Sequence, residues 1–355
     1  MTQPPDLIVH IGHYKTGTTA LQVFCAANRD LLARQGLLYA ERPLKHAKHS
    51  ALALSLLHQA GVTTLMHGYQ ANRPAAELWA DVFAQARAQA GGTLLISSEE
   101  FIRLGAHPAA VEGLRAAFAT APDLRVRVIA YLRPPQAHLT SWFNQLVKMG
   151  VRVDAFEAAI PDQIEAVHWD YARALRPWVD LVGANNVILR PFDDALRQGD
   201  ALFEDFLEAL GFSLPILAQA PQGDPNPRLD DRLVEIRRAL TNSGLARPVA
   251  EAILTRARAA LTEDGAAHDA IAAQSRAGIE ALTALGLEGF DPAPLLADLP
   301  RPRPPAQRDA AHLVGFLTGE LAHLRIAQRQ LALRLARLEQ HLPDPAPDPA
   351  PDAKP

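Results

Sequence analysis

The chain has 355 residues, 48 % of them apolar, enough for one large domain with an appendage or for two domains. A net charge of −4 argues against a nucleic-acid-binding surface spread over the whole protein and leaves room for a local basic pocket. The single cysteine, Cys25, excludes an internal disulfide and fits a reducing, cytoplasmic setting; the start MTQPPDLIVHIG shows neither the basic nor the apolar region of a signal peptide, and no run of about 18 apolar residues offers a membrane span.

In chain order, residues 6–11 (DLIVHI) read as a buried strand, and the stretch from Thr18 to about Gln35 reads as a helix ended by Gly36. Further strands are expected over 93–98 (TLLISS), 125–132 (RVRVIAYL) and 186–190 (NVILR). Ala- and Leu-rich segments of helical period fill 50–60, 74–90, 107–119 and 137–149, and DYARALRPWVDLVG precedes the fourth strand. Strands alternating with helices predict an α/β domain, three-layered and P-loop-like, with a mostly parallel central sheet. Its core is expected over 1–215, with a helical extension over 216–290 and a Pro-rich linker over 291–305. A long amphipathic helix should follow over 306–342, and a disordered tail over 343–355. In that helix Val314, Leu317, Leu321, Leu324, Leu331, Leu335, Leu338 and Leu342 recur at alternating steps of three and four, with Gln328 filling the one polar slot. The pattern is a coiled-coil-like seam, and it predicts a homodimer through 314–342 or a helix folded back on the domain.

The first strand runs into Gly12-His13-Tyr14-Lys15-Thr16-Gly17-Thr18-Thr19 and then a helix. A helix start offers free N–H groups and a partial positive charge, glycines allow close backbone approach, threonines add hydroxyls and Lys15 a full charge, so the loop suits an anion. A nucleoside-triphosphatase loop would read G-x-x-x-x-G-K-[ST]. Here Gly12 and Gly17 keep the glycine spacing, but Thr18 stands where the lysine belongs, and no apolar run ends in a magnesium-binding aspartate.

The order K-T-G-T-T after a strand resembles the 5′-phosphosulfate loop of sulfotransferases that use 3′-phosphoadenosine 5′-phosphosulfate (PAPS). The longer phrase HIGHYKTGTTALQVFCAANRDLLARQGLLYA is similar to the opening of a bacterial branch of that superfamily. The likeness covers about 6–215 well and 216–290 loosely. It implies a second anchor, for the 3′-phosphate, which VIAYLRPPQAHLTSW supplies as Arg133 and, eight residues on, Ser141. It implies a catalytic base at the end of the strand between the two anchors, where LLISSEEF offers Glu99 first and Glu100 second; Ser98-Glu99-Glu100 also reads as a helix N-cap with acids in its first turn. His46 and His49 are further candidates, beside the acceptor or as an alternative base, with a solvated helix start as the plainer reading.

On this resemblance the chain transfers a sulfuryl group from PAPS to a hydroxyl or amine of an acceptor, a carbohydrate or small metabolite. Lys15 would neutralise charge on the departing oxygen, and the backbone of 15–19 with Thr16, Gly17, Thr18 and Thr19 would hold the 5′-phosphate. Arg133 and Ser141 would grip the 3′-phosphate, Glu99 would polarise the acceptor, and no metal is required. Tyr69, Trp142 and Trp169 are candidates to stack on a sugar or to sit in the core. Two other classes stay open. A P-loop kinase predicts a lysine directly after Gly17 and a magnesium ligand. A non-catalytic scaffold working through its C-terminal helix predicts an eroded loop.

Overall fold

The computed structural model describes residues 6–65, 69–89, 91–221, 223, 227–262, 273–277, 280, 293, 296 and 305–339. The chain divides into two compact units, 1–234 and 235–355. The first is built on five strands: β1 Asp6–His10, β2 Leu37–Tyr39, β3 Thr93–Ser97, β4 Arg125–Leu132 and β5 Val187–Pro191. They lie in the order β2-β3-β1-β4-β5, every pairing parallel. The central strand, DLIVH, is buried along its whole length. Alternation sends Leu7 and Val9 to one face with Leu94, Ile96, Val128 and Ala130, and Ile8 to the other with Leu95, Ile129 and Tyr131.

Helices cover both faces. On the Leu7 face lie α3 (Ser50–Gln59), α4 (Ala75–Ala88), α5 (Pro108–Ala119), α6 (Pro135–Lys148) and α8 (Tyr171–Val182). On the Ile8 face lie α1 (Thr18–Ala27), α2 (Arg29–Arg34) and α9 (Ala201–Leu210). The result is a three-layer α/β domain. At the strands' entry, Asp6 and Arg125 stand opposite each other in register and pair, which pins β1 to β4.

The four expected strands match to within one residue at each end, and the helices of the Leu7 face to within two. Several features differ. The helix expected over 18–35 is broken at Asn28, whose amide donates to Phe24 O at 2.8 Å and exchanges two bonds with the main chain of Gln219. The side chain satisfies groups that the break frees, so the interruption costs little. Strand β2 went unpredicted because its three residues are too short to show a period; Gly36, with φ +88, turns the chain into it. The helix start read at Ser98-Glu99-Glu100 is present, as the cap of a 3-10 segment, Glu99–Ala106, whereas α7 (Phe156–Gln163) was unforeseen.

The second unit carries α10 (Val234–Asn242), α11 (Arg247–Thr262) and the long helix Pro305–Glu339. Arg256 pairs with Glu320 at 2.7 Å, joining α11 to that helix. Leu317, Leu321, Leu324, Leu331, Leu335 and Leu338 are each at least half exposed. Leu342, the expected tail over 343–355, most of the expected linker and most of 263–290 lie outside the described residues. Among the described residues no helix is long and apolar enough to cross a membrane.

Candidate active site

Three adjacent strands, β3, β1 and β4, deliver three segments to one end of the sheet, the carboxyl edge where open parallel sheets gather ligands. After β1 the main chain keeps pairing with β4: Ile11 N–H donates to Ile129 O (3.0 Å), His13 N–H to Tyr131 O (3.2 Å) and Tyr131 N–H to Gly12 O (2.9 Å). This anchors the loop before it turns. Gly12, at φ +90, passes so near β3 that a Cβ would lie 3.0 Å from Glu99 Cα; at Gly17, φ +75, a Cβ would lie 2.5 Å from Leu202 Cδ2. Both positions need glycine for conformation, and Gly12 also for space, since its neighbour there is main chain. Lys15 adopts φ 63 without being glycine, a strain of about 1–2 kcal/mol held at the loop's tip. Its Nζ lies 3.3 Å from Gln145 Oε1.

The hydroxyls of Thr16 and Thr18 both donate to His13 O, at 2.6 and 2.9 Å, and so brace the loop from inside. No side chain caps α1. Its first N–H groups, on Thr18, Thr19 and Ala20, belong to residues that line a cavity of about 720 Å³.

After β3 the two acids part ways. Glu100 is fully buried; its carboxylate accepts from the hydroxyls of Ser98 and Ser50, and its N–H donates to Ser98 Oγ, a helix-cap bond. Glu99 lines the cavity, where its carboxylate accepts from Lys48 Nζ at 2.6 Å and Gln22 Nε2 at 2.9 Å. Burial works against the Lys48 ammonium, but the charges of Glu99 and Glu100 outweigh it and hold the lysine's pKa above its ordinary value.

After β4 come Arg133 and two prolines. Pro134 is the N-cap of α6 and Pro135 its first residue, where a missing N–H costs nothing. Ser141, Trp142, Gln145 and Met149 then fall on the cavity side of α6. Burial lowers the Arg133 pKa, and so do the nearby charges of Arg197 and Arg228, with Asp194 opposing. Three guanidinium groups thus contribute to the cavity lining. Lys15, Lys48, Arg133, Arg197 and Arg228 line it; Lys48 pairs with Glu99, the one carboxylate among the described lining residues, and Arg197 and Arg228 pair with Asp194 and Asp231 at 3.4 and 2.8 Å, so the lining is cationic but partly neutralised, which still suits an anion.

Of the residues singled out in the sequence, Lys15, Gly17, Thr18, Thr19, Glu99, Arg133 and Ser141 share this cavity, whereas Thr16 and Glu100 lie behind its wall. His46 is exposed and off the cavity. His49 is buried, accepting from Ser97 N–H and donating to Ala40 O, each at 3.0 Å, and burial lowers its pKa to about 4. Of the three candidate stacking rings only Trp142 lines the cavity. Sequence reasoning missed Lys48, Gln145, Arg197 and Arg228. Gln145 had a signal, its place one helical turn from Ser141; Lys48 sat between the two histidines that drew notice; Arg197 and Arg228 fell in stretches that resemble the family, the second in its loose part, with no role given to either.

No family model matches the chain, and neither does any curated protein. Among solved structures it is similar to a sulfotransferase from Alicyclobacillus acidocaldarius, with 16 % identity, a TM-score of 0.36, and cover of 70 % of this chain and 98 % of that one. It is also similar to the sulfotransferase domain from the curacin biosynthetic pathway, with 16 % identity, a TM-score of 0.35, and cover of 63 % and 80 %.

Proposed function

We propose that the cavity binds PAPS and that the chain transfers its sulfuryl group to a hydroxyl or amine of an acceptor. The observation that supports this most is the shared cavity: an uncapped helix start with Lys15, and Arg133, Ser141, Arg197 and Arg228, line one space of nucleotide size. When bound, PAPS would supply the activated sulfuryl group. The N–H groups of Thr18, Thr19 and Ala20 would hold its 5′-phosphate, and Arg133 with Ser141 its 3′-phosphate, fixing the reacting end by its two anchors. Lys15 would offset negative charge on the bridging oxygen as the bond breaks. Glu99, held in place by Lys48 and Gln22, would take the acceptor's proton. A lysine fills the charge-neutralising role, so this reading calls on no metal for the transfer.

A carbohydrate acceptor is the preferred class; Trp142 reaches the cavity wall, but it is 5 % exposed and stacked on His168, so it packs in the core and offers no open face to a sugar. Incubation with isotopically labelled PAPS and a panel of glycans and hydroxylated metabolites, read by mass spectrometry, tests the reaction. Labelled sulfate esters with the wild type, and none with Lys15→Ala, are expected. Phosphorylated products formed from ATP and magnesium would overturn the reading in favour of a kinase.

The exposed leucines of the helix Pro305–Glu339 fit self-association in a heptad seam. Sedimentation of the full chain is expected to give a dimer, and a chain cut at Pro305 a monomer; monomers in both would remove the seam's proposed role.

A further inference from the structure

We propose that His13, His138 and His168 form a zinc site set behind the cavity, tying the loop after β1 to helix α6. The three imidazoles come from separate segments: the loop after β1, the second turn of α6, and the 3-10 turn Ala166–His168. One ligating nitrogen from each lies within 4.8 Å of the other two, and all three residues are buried. The His138 Nε2 to His168 Nδ1 distance is 3.0 Å, and the ring centroids of His13 and His138 are 4.1 Å apart. Zinc–imidazole bonds of about 2.0–2.1 Å in a tetrahedron place the nitrogens about 3.4 Å apart, inside that range, so small ring movements suffice.

Hydrogen-bond accounting points the same way. A neutral imidazole has one N–H and one lone pair. His13 Nε2 faces Val167 O at 3.0 Å, and a carbonyl only accepts, so the proton is on Nε2 and the lone pair on Nδ1. That Nδ1 is buried with no partner among the described residues. His138 Nε2 and His168 Nδ1 face each other and can share only one proton. Orphaned lone pairs in a core are costly. A cation placed among the rings would use the converging lone pairs. The bond from His13 Nε2–H to a backbone carbonyl is the outer-shell contact that orients a metal-bound histidine. A ligand set of imidazoles alone favours zinc over magnesium or calcium, and three protein ligands leave a fourth position for water.

The site's position gives it a role. His13 lies two residues before Lys15, and His138 lies between Arg133 and Ser141 on the same segment, so zinc would clamp the two anion-binding walls in register. The test uses the full chain, stripped with a chelator, dialysed, and titrated with zinc against a chromophoric competitor. One tight zinc per chain is expected, with a rise in melting temperature of about 5–10 °C at a hundredfold excess over Kd and none with magnesium. His138→Gln and His168→Gln should each lose the zinc, and His58→Gln, at an exposed position, should keep it. If the cluster variants do not fold, cobalt on the wild type decides: a four-coordinate visible spectrum at one equivalent, abolished by zinc, is expected. A folded, stripped wild type with no zinc tighter than about 100 µM, or a folded His168→Gln that binds it equally, would overturn the proposal. Nucleotide binding measured on the same samples tests the PAPS reading independently.

Discussion

The two walls of the cavity are made differently. The wall after β1 is mainly backbone: Gly12 and Gly17 at positive φ, hydroxyls turned inward onto His13 O, and the uncapped N–H groups of α1. The opposite wall is side chains from far-apart segments: Arg133 after β4, Ser141 on α6, and Arg197 and Arg228 from loops further along. A backbone wall needs contiguous residues with fixed conformational demands, so it is written as a short motif. A side-chain wall needs only that charges meet in space, so most of it leaves no local pattern. The backbone wall suits any phosphate; selectivity between nucleotides must come from the side-chain wall.

The largest effect that sharpens this contrast lies between the walls. Glu99→Gln should lower turnover about 100-fold or more with donor affinity little changed. Glu100→Gln, whose carboxylate is spent on Ser98 and Ser50, should instead lower the melting temperature and leave turnover nearly intact. Equal, small effects on turnover would return both acids to a capping role.

Next come the arginines that the sequence did not advertise. Arg228→Ala and Arg197→Ala should each weaken adenosine 3′,5′-bisphosphate binding by roughly tenfold, and less at high salt, with AMP affected little. An equal loss for both nucleotides would place these charges on the 5′-phosphate and erase the proposed division between the walls.

Much of the fold was legible for the same reason as the backbone wall. The runs LIVHI, LLIS and VRVIAYL are long, apolar and bounded, so their strands declared themselves. The three residues of β2 could not, and the break at Asn28 depends on the distant Gln219 main chain. Lys15, Thr18 and Thr19 stood in one phrase; Arg133 and Ser141 were found only because a resemblance supplied their spacing. Lys48 reaches Glu99 through a turn after β2 that no periodicity reports.

The smallest expected effect concerns what supports the 3-10 segment beyond Glu99. Arg103 from that segment pairs with Glu165 at 2.5 Å, and His107 joins them at 3.2 Å. Burial raises the Glu165 pKa, but the bonds to Arg103 and His107 outweigh it and lower the pKa to about 2 from an ordinary 4.5. A carboxyl depressed on folding stabilises fully above its unfolded pKa and loses that contribution as pH falls toward the folded value. Stability should therefore decline between about pH 4.5 and pH 2, and Glu165→Gln should flatten that part of the curve while lowering stability at pH 7. Parallel acid curves for the two proteins would mean that the pair contributes nothing to folding.

The central claim is that Arg133 and Ser141 read a 3′-phosphate. Titration calorimetry of AMP and adenosine 3′,5′-bisphosphate, without magnesium, on the wild type and on Arg133→Ala tests it directly. A charge-assisted contact to phosphate plus a hydroxyl should be worth about 2–4 kcal/mol, or roughly 30- to 1000-fold in affinity. The wild type should therefore prefer the bisphosphate by that factor, and Arg133→Ala should lose most of the preference while binding AMP almost as before. Equal affinity for the two nucleotides in the wild type would contradict the account.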